Sequence, residues 1–353
     1  MKTYHHNLRD ELLSIVPDDS GPGPAEVQQK YGIPPQELVM LGRNENPYGP
    51  SPRALESLRG DMAVNRYPQP EDFIKAAASY VNFPPEQVIM GAGLDGLIDS
   101  LTRLFLCRGD RALIPLPTYS YYELLVRLCG AEPAYATLTP DLDLPPVLVT
   151  DRKVKMIFLC SPNNPTGETL SREALQSLLE RTPAVVFLDE AYVEFAGESL
   201  AGLVREHDNL VVGRTMSKAF GLAGLRLGYA AAPPWIAEQY RRTAPLFAAS
   251  APSLAAGVAA LGDLEHMHKS VEKISEQRDS LRESILEARP SRGSFLFVET
   301  GERSSLVADS LMKKGIVVKD CSTIRGAGEH AVRVSVGLPE ENEAFLNAYL
   351  AGC

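Results

Sequence analysis

Between residues 87 and 232, short apolar runs alternate with stretches whose apolar positions recur every three or four residues, the pattern of a parallel sheet flanked by helices. The runs 87–90, 112–115, 155–160, 184–188, 210–213 and 227–231 predict strands. After the first of them, Leu94, Leu97, Ile98, Leu101 and Leu104 fit a 3.6-residue period and predict a helix. Nearly every strand runs out into polar or glycine-rich sequence, at 91–95, 118–119, 163–167, 189–192 and 215–218. Ligands of doubly wound sheets bind beyond the carboxyl ends of the strands, so these ends together predict one site.

The pattern changes after the Pro233-Pro234 break and the small-residue stretch 244–260. A long charged helix over 264–288 leads into strand-like runs at 294–299, 316–320 and 331–336, interleaved with a helix around 304–314, which reads as a smaller α+β unit. The Gly- and Pro-rich segment 17–24 predicts an arm or loop. At 353 residues the chain exceeds the size at which one core stops growing, so a large domain with a smaller companion is expected.

Charge and cysteine content narrow the function classes. A net charge of -10 argues against nucleic acid or an anionic membrane as partner, so an anionic ligand must be held locally. Residues 1–13 lack a signal peptide's apolar region, and no run reaches the roughly 18 apolar residues of a membrane span. Cys107, Cys129, Cys160, Cys321 and Cys353 have no metal-like spacing, and neither His5-His6 nor His266-Met267-His268 has ligand partners, so no metal is expected. Scattered, odd-numbered thiols point to the cytoplasm.

Five strand-end segments carry candidate chemistry. Lys218 lies between small hydroxyl residues and a glycine-spaced arginine in Thr215-Met216-Ser217-Lys218-Ala219-Phe220-Gly221-Leu222-Ala223-Gly224-Leu225-Arg226. A desolvated or cation-flanked amine has the lowered pKa that attack on a carbonyl requires. Gly91-Ala92-Gly93-Leu94-Asp95-Gly96 matches GxGxxG, but the following strand ends in Pro117-Thr118-Tyr119, not the acidic residue a dinucleotide ribose needs. What survives is a turn whose helix amides hold one phosphate, or a plain structural turn. Ser161-Pro162-Asn163-Asn164-Pro165-Thr166-Gly167 is a turn that offers the Asn164 amide. Asp189, at the end of a strand apolar throughout, is costly to bury without a partner, which helix amides at an N-cap, a salt bridge or a protonated pyridine could supply, and Tyr192 follows it. Taken singly, each is also an ordinary loop. Together, Lys218, Asp189, Asn164, Tyr119 and the Gly91 turn supply what pyridoxal 5'-phosphate chemistry asks of a protein.

These motifs, with Asn44-Glu45-Asn46-Pro47-Tyr48-Gly49-Pro50-Ser51-Pro52, Arg66-Tyr67-Pro68 and Arg333-Val334-Ser335-Val336-Gly337, resemble the fold-type I pyridoxal-phosphate aminotransferases of class I/II, in their histidinol-phosphate branch. The resemblance runs from about residue 41 to 350. It implies an α/β fold: a large domain with a mostly parallel seven-stranded sheet between helices, over 41–245, a smaller α+β domain over 246–353, and an arm over 1–40. It also implies that Lys218 carries the cofactor and shuttles a proton, that Tyr119 stacks on the ring, that Asn164 and Tyr192 reach its phenolic oxygen, and that Asp189 pairs with its nitrogen. Leu94, Asp95, Thr215, Ser217 and Arg226 would hold the phosphate, joined by Tyr67 from the neighbouring subunit of a homodimer. Arg333, Lys319 and Asn46 would bind substrate.

The reaction so implied is amino transfer from L-histidinol phosphate to 2-oxoglutarate, giving imidazole acetol phosphate and L-glutamate. Alternatives on the same scaffold are an aromatic amino acid aminotransferase and a threonine-phosphate decarboxylase; a non-enzymatic nucleotide-binding protein would leave Lys218, Asp189 and Asn164 without a role. Two departures bear on the substrate. The branch's N-terminal tyrosine is missing from 14–21, and its second phosphate-directed arginine stands here as Lys319, which has charge without a bidentate fork. Arg325 is a candidate to compensate.

Overall fold

The computed structural model describes residues 8–15, 21–60 and 63–352. The segment 16–20, most of the stretch where the N-terminal tyrosine would fall, lies outside them, as do His5, His6 and Cys353.

The runs of β-branched and aliphatic residues form strands because only a sheet covered on both faces buries every side chain of such a run. β1 (Val39–Leu41) is followed by β2 (Val88–Ala92), β3 (Arg111–Leu116), β4 (Glu132–Thr137), β5 (Val154–Cys160), β6 (Val185–Asp189), β7 (Leu210–Thr215) and β8 (Leu227–Ala231). β9 (Phe295–Glu299), β10 (Ile316–Asp320) and β11 (Ala331–Ser335) complete the order. The seven-stranded sheet runs β2-β8-β7-β6-β5-β3-β4. All residues of β6 and β7 are buried, as expected of central strands.

This sheet is parallel except at β8, which pairs antiparallel with both β7 and β2. A parallel return needs a crossover of a dozen or more residues, usually a helix. The connection from Thr215 to Leu227 holds only a 3-10 turn over Ala223–Leu225, so the chain doubles straight back. The carboxyl end of β7 and the start of β8 therefore lie on one edge, with Thr215 opposite Gly228.

The four-stranded sheet runs β1-β10-β11-β9. Its core joins Leu296, Val298, Val318, Val332 and Val334 to Leu311 and Phe345. The long helix Leu264–Ser284 spans the two cores, giving Met267 and Ile274 to the larger and Leu281 to the smaller. β1 and β4 are strands the pattern did not announce. β1 has three residues, and β4 is an edge strand that contains Pro133 and buries only Ala134.

The helix Gly93–Phe105 buries Leu94, Leu97, Ile98 and Leu101, and its first turn packs directly on β8. A Cβ at Gly228 would overlap the Leu94 nitrogen and stand 2.6 Å from the Gly93 carbonyl carbon, both rigid backbone. Gly228→Ala therefore forces this turn off the sheet and costs about 1–3 kcal/mol. Thermal denaturation should show a midpoint several degrees lower; an unchanged midpoint contradicts the close packing.

Candidate active site

The ends of β2, β3, β5, β6 and β7 and the start of β8 open on one cleft of about 270 Å³. Leu94, Asp95, Tyr119, Asn164, Asp189, Tyr192, Thr215, Ser217, Lys218, Arg226, Lys319 and Arg333 all line it.

Its floor is Asp189, 4% exposed. One carboxylate oxygen accepts from the Ala191 amide at 2.9 Å and the other from the Tyr122 hydroxyl at 2.6 Å. No ion pair reaches it from the described residues. Burial pushes its carboxyl up to about 6, against the two hydrogen bonds. Tyr122 is held in turn by stacking on Phe158, with centroids 5.1 Å apart.

Lys218 sits in a tight loop after β7, closed by bonds from the Gly221 amide to the Lys218 carbonyl and from the Leu222 amide to the Met216 carbonyl, each 3.0 Å. Its Nζ donates to the Arg43 carbonyl at 3.1 Å and lies 5.7 Å from the Tyr192 ring centroid. Burial, and then the Arg333 charge, bring its ammonium down to about 8, opposed by Glu45 and Asp95. An amine so placed is unprotonated in a useful fraction near neutral pH, whereas an exposed lysine is not.

A helix start, two hydroxyls and a guanidinium meet between β2, β7 and β8. The Gly93 amide donates to the Arg226 carbonyl at 2.8 Å, while those of Leu94 and Asp95, in the same first turn, have no carbonyl four residues back in the helix to bind. Thr215 Oγ1 donates to Ser217 Oγ at 2.9 Å and accepts from the Ser217 amide at 3.1 Å. Arg226, at a left-handed φ of 50°, donates to Asp95 at 2.8 Å, and Tyr119 donates to the other Asp95 oxygen at 3.2 Å. The GxGxxG match is thus a strand-to-helix turn facing a guanidinium.

The opposite wall comes from the small sheet. Arg333, 8% exposed, donates to the Asn164 amide oxygen and to the Gly42 carbonyl, both at 2.6 Å, and its buried Nε has no hydrogen-bond partner among the described residues. The Tyr192 hydroxyl accepts from Asn44 at 2.9 Å, and Asn44 is fixed by Ser335 through bonds of 2.8 and 2.9 Å. Lys319 donates to the Thr323 hydroxyl at 3.3 Å.

Three sequence candidates lie elsewhere. Asn46 donates to the Ala219 carbonyl at 3.0 Å and accepts from the Tyr48 amide at 2.9 Å, bracing the lysine loop. Tyr67 is 73% exposed and stacks on Phe247, in a separate groove with Leu254 and Val258. Arg325 pairs with Glu123 at 3.0 Å and covers the Tyr135 ring, outside the cleft lining. Conversely, sequence reasoning overlooked Tyr122, Asn44 and Ser335 as partners. Asn44 and Ser335 lay within motifs already singled out; nothing in the run Tyr119, Tyr121, Tyr122 says which hydroxyl faces the aspartate.

Among the described residues, no cluster of His, Cys, Asp or Glu could hold a metal, and no helix is long and apolar enough to cross a membrane. A family model for aminotransferase class I and II matches residues 36–348. The histidinol-phosphate aminotransferase of Methanosarcina mazei is 43% identical over 351 residues, 97% of this chain and 95% of that protein. The Methanosarcina barkeri protein of the same name is 44% identical, covering 97% and 96%. In fold, the chain matches the crystal structure of histidinol-phosphate aminotransferase from Sinorhizobium meliloti in complex with pyridoxal-5'-phosphate, with a TM-score of 0.87 at 24% identity over 97% of this chain and 96% of that one. The sheet order, the cleft at its strand ends and matches over nearly the whole length agree: this chain belongs to the class I and II aminotransferases.

Proposed function

We propose that the enzyme uses pyridoxal 5'-phosphate to move the amino group of L-histidinol phosphate to 2-oxoglutarate, yielding imidazole acetol phosphate and L-glutamate. The observation that carries the cofactor reading is one cleft holding an amine brought down to about 8, a carboxyl raised to about 6 without a cation, and an anion cradle. That donor set fits a planar phosphorylated aldehyde with a basic ring nitrogen. The two Methanosarcina relatives support the substrate, as do two cationic side chains, Arg333 and Lys319, in the cleft wall.

When bound, the cofactor supplies an electron sink for the negative charge that develops at the substrate's Cα. The chain's residues do the rest. Lys218 would hold the cofactor through its amine and, once freed by the substrate's amine, would serve as the base that carries the proton from the substrate's Cα to the cofactor's C4′. Asp189, kept in place by Tyr122 and the Ala191 amide, would hold the ring nitrogen in its protonated form. Arg226, Thr215, Ser217 and the Leu94 and Asp95 amides would hold the phosphate, for which Arg226 would give up its bond to Asp95. Tyr119 would cover the ring face, while Tyr192 and Asn164, oriented by Asn44 and Arg333, would meet its phenolic oxygen. Arg333 and Lys319 take the substrate's anionic end; Asn46 acts on substrate only through the lysine loop it braces. The donor leaves as the oxo product before the 2-oxo acid enters, so the amine is passed in two half-reactions.

We further propose a homodimer in which Tyr67, exposed and remote from its own cleft, serves the partner's phosphate, and a division into an arm to residue 40, a large domain over 41–245 and a small one over 246–353. The unpaired Cys107, Cys129, Cys160 and Cys321 support a cytoplasmic setting.

Lys218→Ala should lower turnover by about 10³-fold or more and remove the yellow absorbance of bound cofactor. A variant that stays yellow and active contradicts the role of the amine. Single-turnover rates with histidinol phosphate, phenylalanine and tyrosine separate the substrate readings. Histidinol phosphate is expected to react fastest without release of carbon dioxide; equal rates would favour an aromatic aminotransferase, and carbon dioxide would favour a decarboxylase.

A further inference from the structure

Directly behind the cleft lies a second group of charged side chains. Glu190 follows Asp189 and Arg214 precedes Thr215, and because successive strand residues face opposite sides, these two point away from the residues that line the cleft. Arg214 donates through Nε to Glu190 at 3.2 Å, pairs with it again through Nη2 at 3.0 Å, and approaches Glu194 at 3.7 Å. Glu190 also accepts from the Ser199 hydroxyl and the Leu200 amide, each at 2.7 Å. Glu194 accepts from the Tyr80 hydroxyl at 3.3 Å.

The group closes on the lysine loop. Tyr80, whose ring centre lies 5.7 Å from the Arg214 guanidinium, packs edge-on against Phe220 with centroids 5.6 Å apart. Phe220 is 3% exposed and stands two residues after Lys218. A ring of contacts therefore runs from Arg214 through Glu194, Tyr80 and Phe220 and returns along the chain through Lys218. Glu190 ties the same guanidinium to the strand end that bears Asp189.

Resting on the reading of Lys218 as the cofactor lysine, we propose that Arg214, Glu190, Glu194 and Tyr80 are positioning residues that set the lysine amine and the Asp189 carboxylate in register without touching substrate. Buried ion pairs of this kind are often replaceable by apolar residues at no loss of stability, so stability alone gives weak reason for two carboxylates and a guanidinium here. Beyond the ladder that already pairs Asp189 with Gly213, they add side-chain ties at the ends of β6 and β7. The Arg214–Glu190 bonds join the ends of β7 and β6, and Tyr80, on the helix Glu71–Val81, links the segment after β6 to the lysine loop.

Two variants open the frame at separate points. Glu190→Gln keeps the volume and the bond from the Leu200 amide, and leaves Arg214 balanced by Glu194 alone. Tyr80→Phe removes one hydroxyl and keeps the packing on Phe220. In the cofactor-loaded enzyme, Glu190→Gln should lower kcat roughly tenfold with KM for the amino donor within about twofold, and should move the pH midpoint of the cofactor's absorbance band. Tyr80→Phe should move both in the same direction by less. Wild-type kcat and band midpoint in both variants, whatever their melting temperatures, would overturn the proposal; if Glu190→Gln fails to fold, Tyr80→Phe decides. A wild-type protein that shows no cofactor band would defeat the reading of Lys218 and the frame with it, whereas a normal band beside unaffected variants defeats the frame alone.

Discussion

The site depends on a carboxylate buried without an ion-pair partner among the described residues. Asp189 ends a strand whose every residue is buried, and its two oxygens meet one hydroxyl and one amide. Raising its pKa from 3.8 to about 6 penalises the ionised form by about 3 kcal/mol, an unfavourable term that a cationic ring nitrogen would remove. The fold tolerates the term because the sheet's apolar core is large and Tyr122 is fixed by stacking on Phe158. Functional sites commonly store instability of this kind where a ligand relieves it.

The rest of the cleft follows from one topological choice. Because the chain turns back after β7 with no crossover helix, the lysine loop lies between two adjacent strand ends, and Arg226 enters β8 beside the helix that starts after β2. Gly228 and Gly93 let that helix approach closely enough for a guanidinium to reach its first turn. The second sheet contributes Arg333 and Lys319 from two neighbouring strands paired in register, Lys319 opposite Arg333. A cation pair of this sort suits an anion larger than a single carboxylate, with the fork of one residue setting direction and the point charge of the other adding attraction.

Much of this was legible in the sequence, since a parallel sheet announces itself by continuous apolar runs and gathers their ends on one edge. Lys218, Asp189, Asn164, Tyr119 and the Gly91 turn could be named as neighbours for that reason alone. What was not legible depended on distance in space. The pattern did not show which tyrosine hydroxyl meets Asp189, that Asp95 would pair with Arg226, or that the Asn46 amide would brace a backbone carbonyl. β4 escaped because an edge strand with a proline and one buried residue lacks the apolar signal, and β1 because three residues carry no period. Arg325 was unplaceable from sequence because its partner Glu123 is about 200 residues away in the chain.

Whether Asp189 is held ionised at a cost until a cation meets it can be read from the stability of cofactor-stripped protein, wild type against Asp189→Asn, as a function of pH. A raised folded-state pKa means that the folded form binds more protons than the unfolded form between about 4 and 6, so the penalty is absent below that window and complete above it. At pH 8 the asparagine variant should be the more stable by up to about 3 kcal/mol, and the difference should shrink as pH falls through 6 toward 4. A variant less stable than wild type at pH 8, or a difference that does not change with pH, would contradict the account.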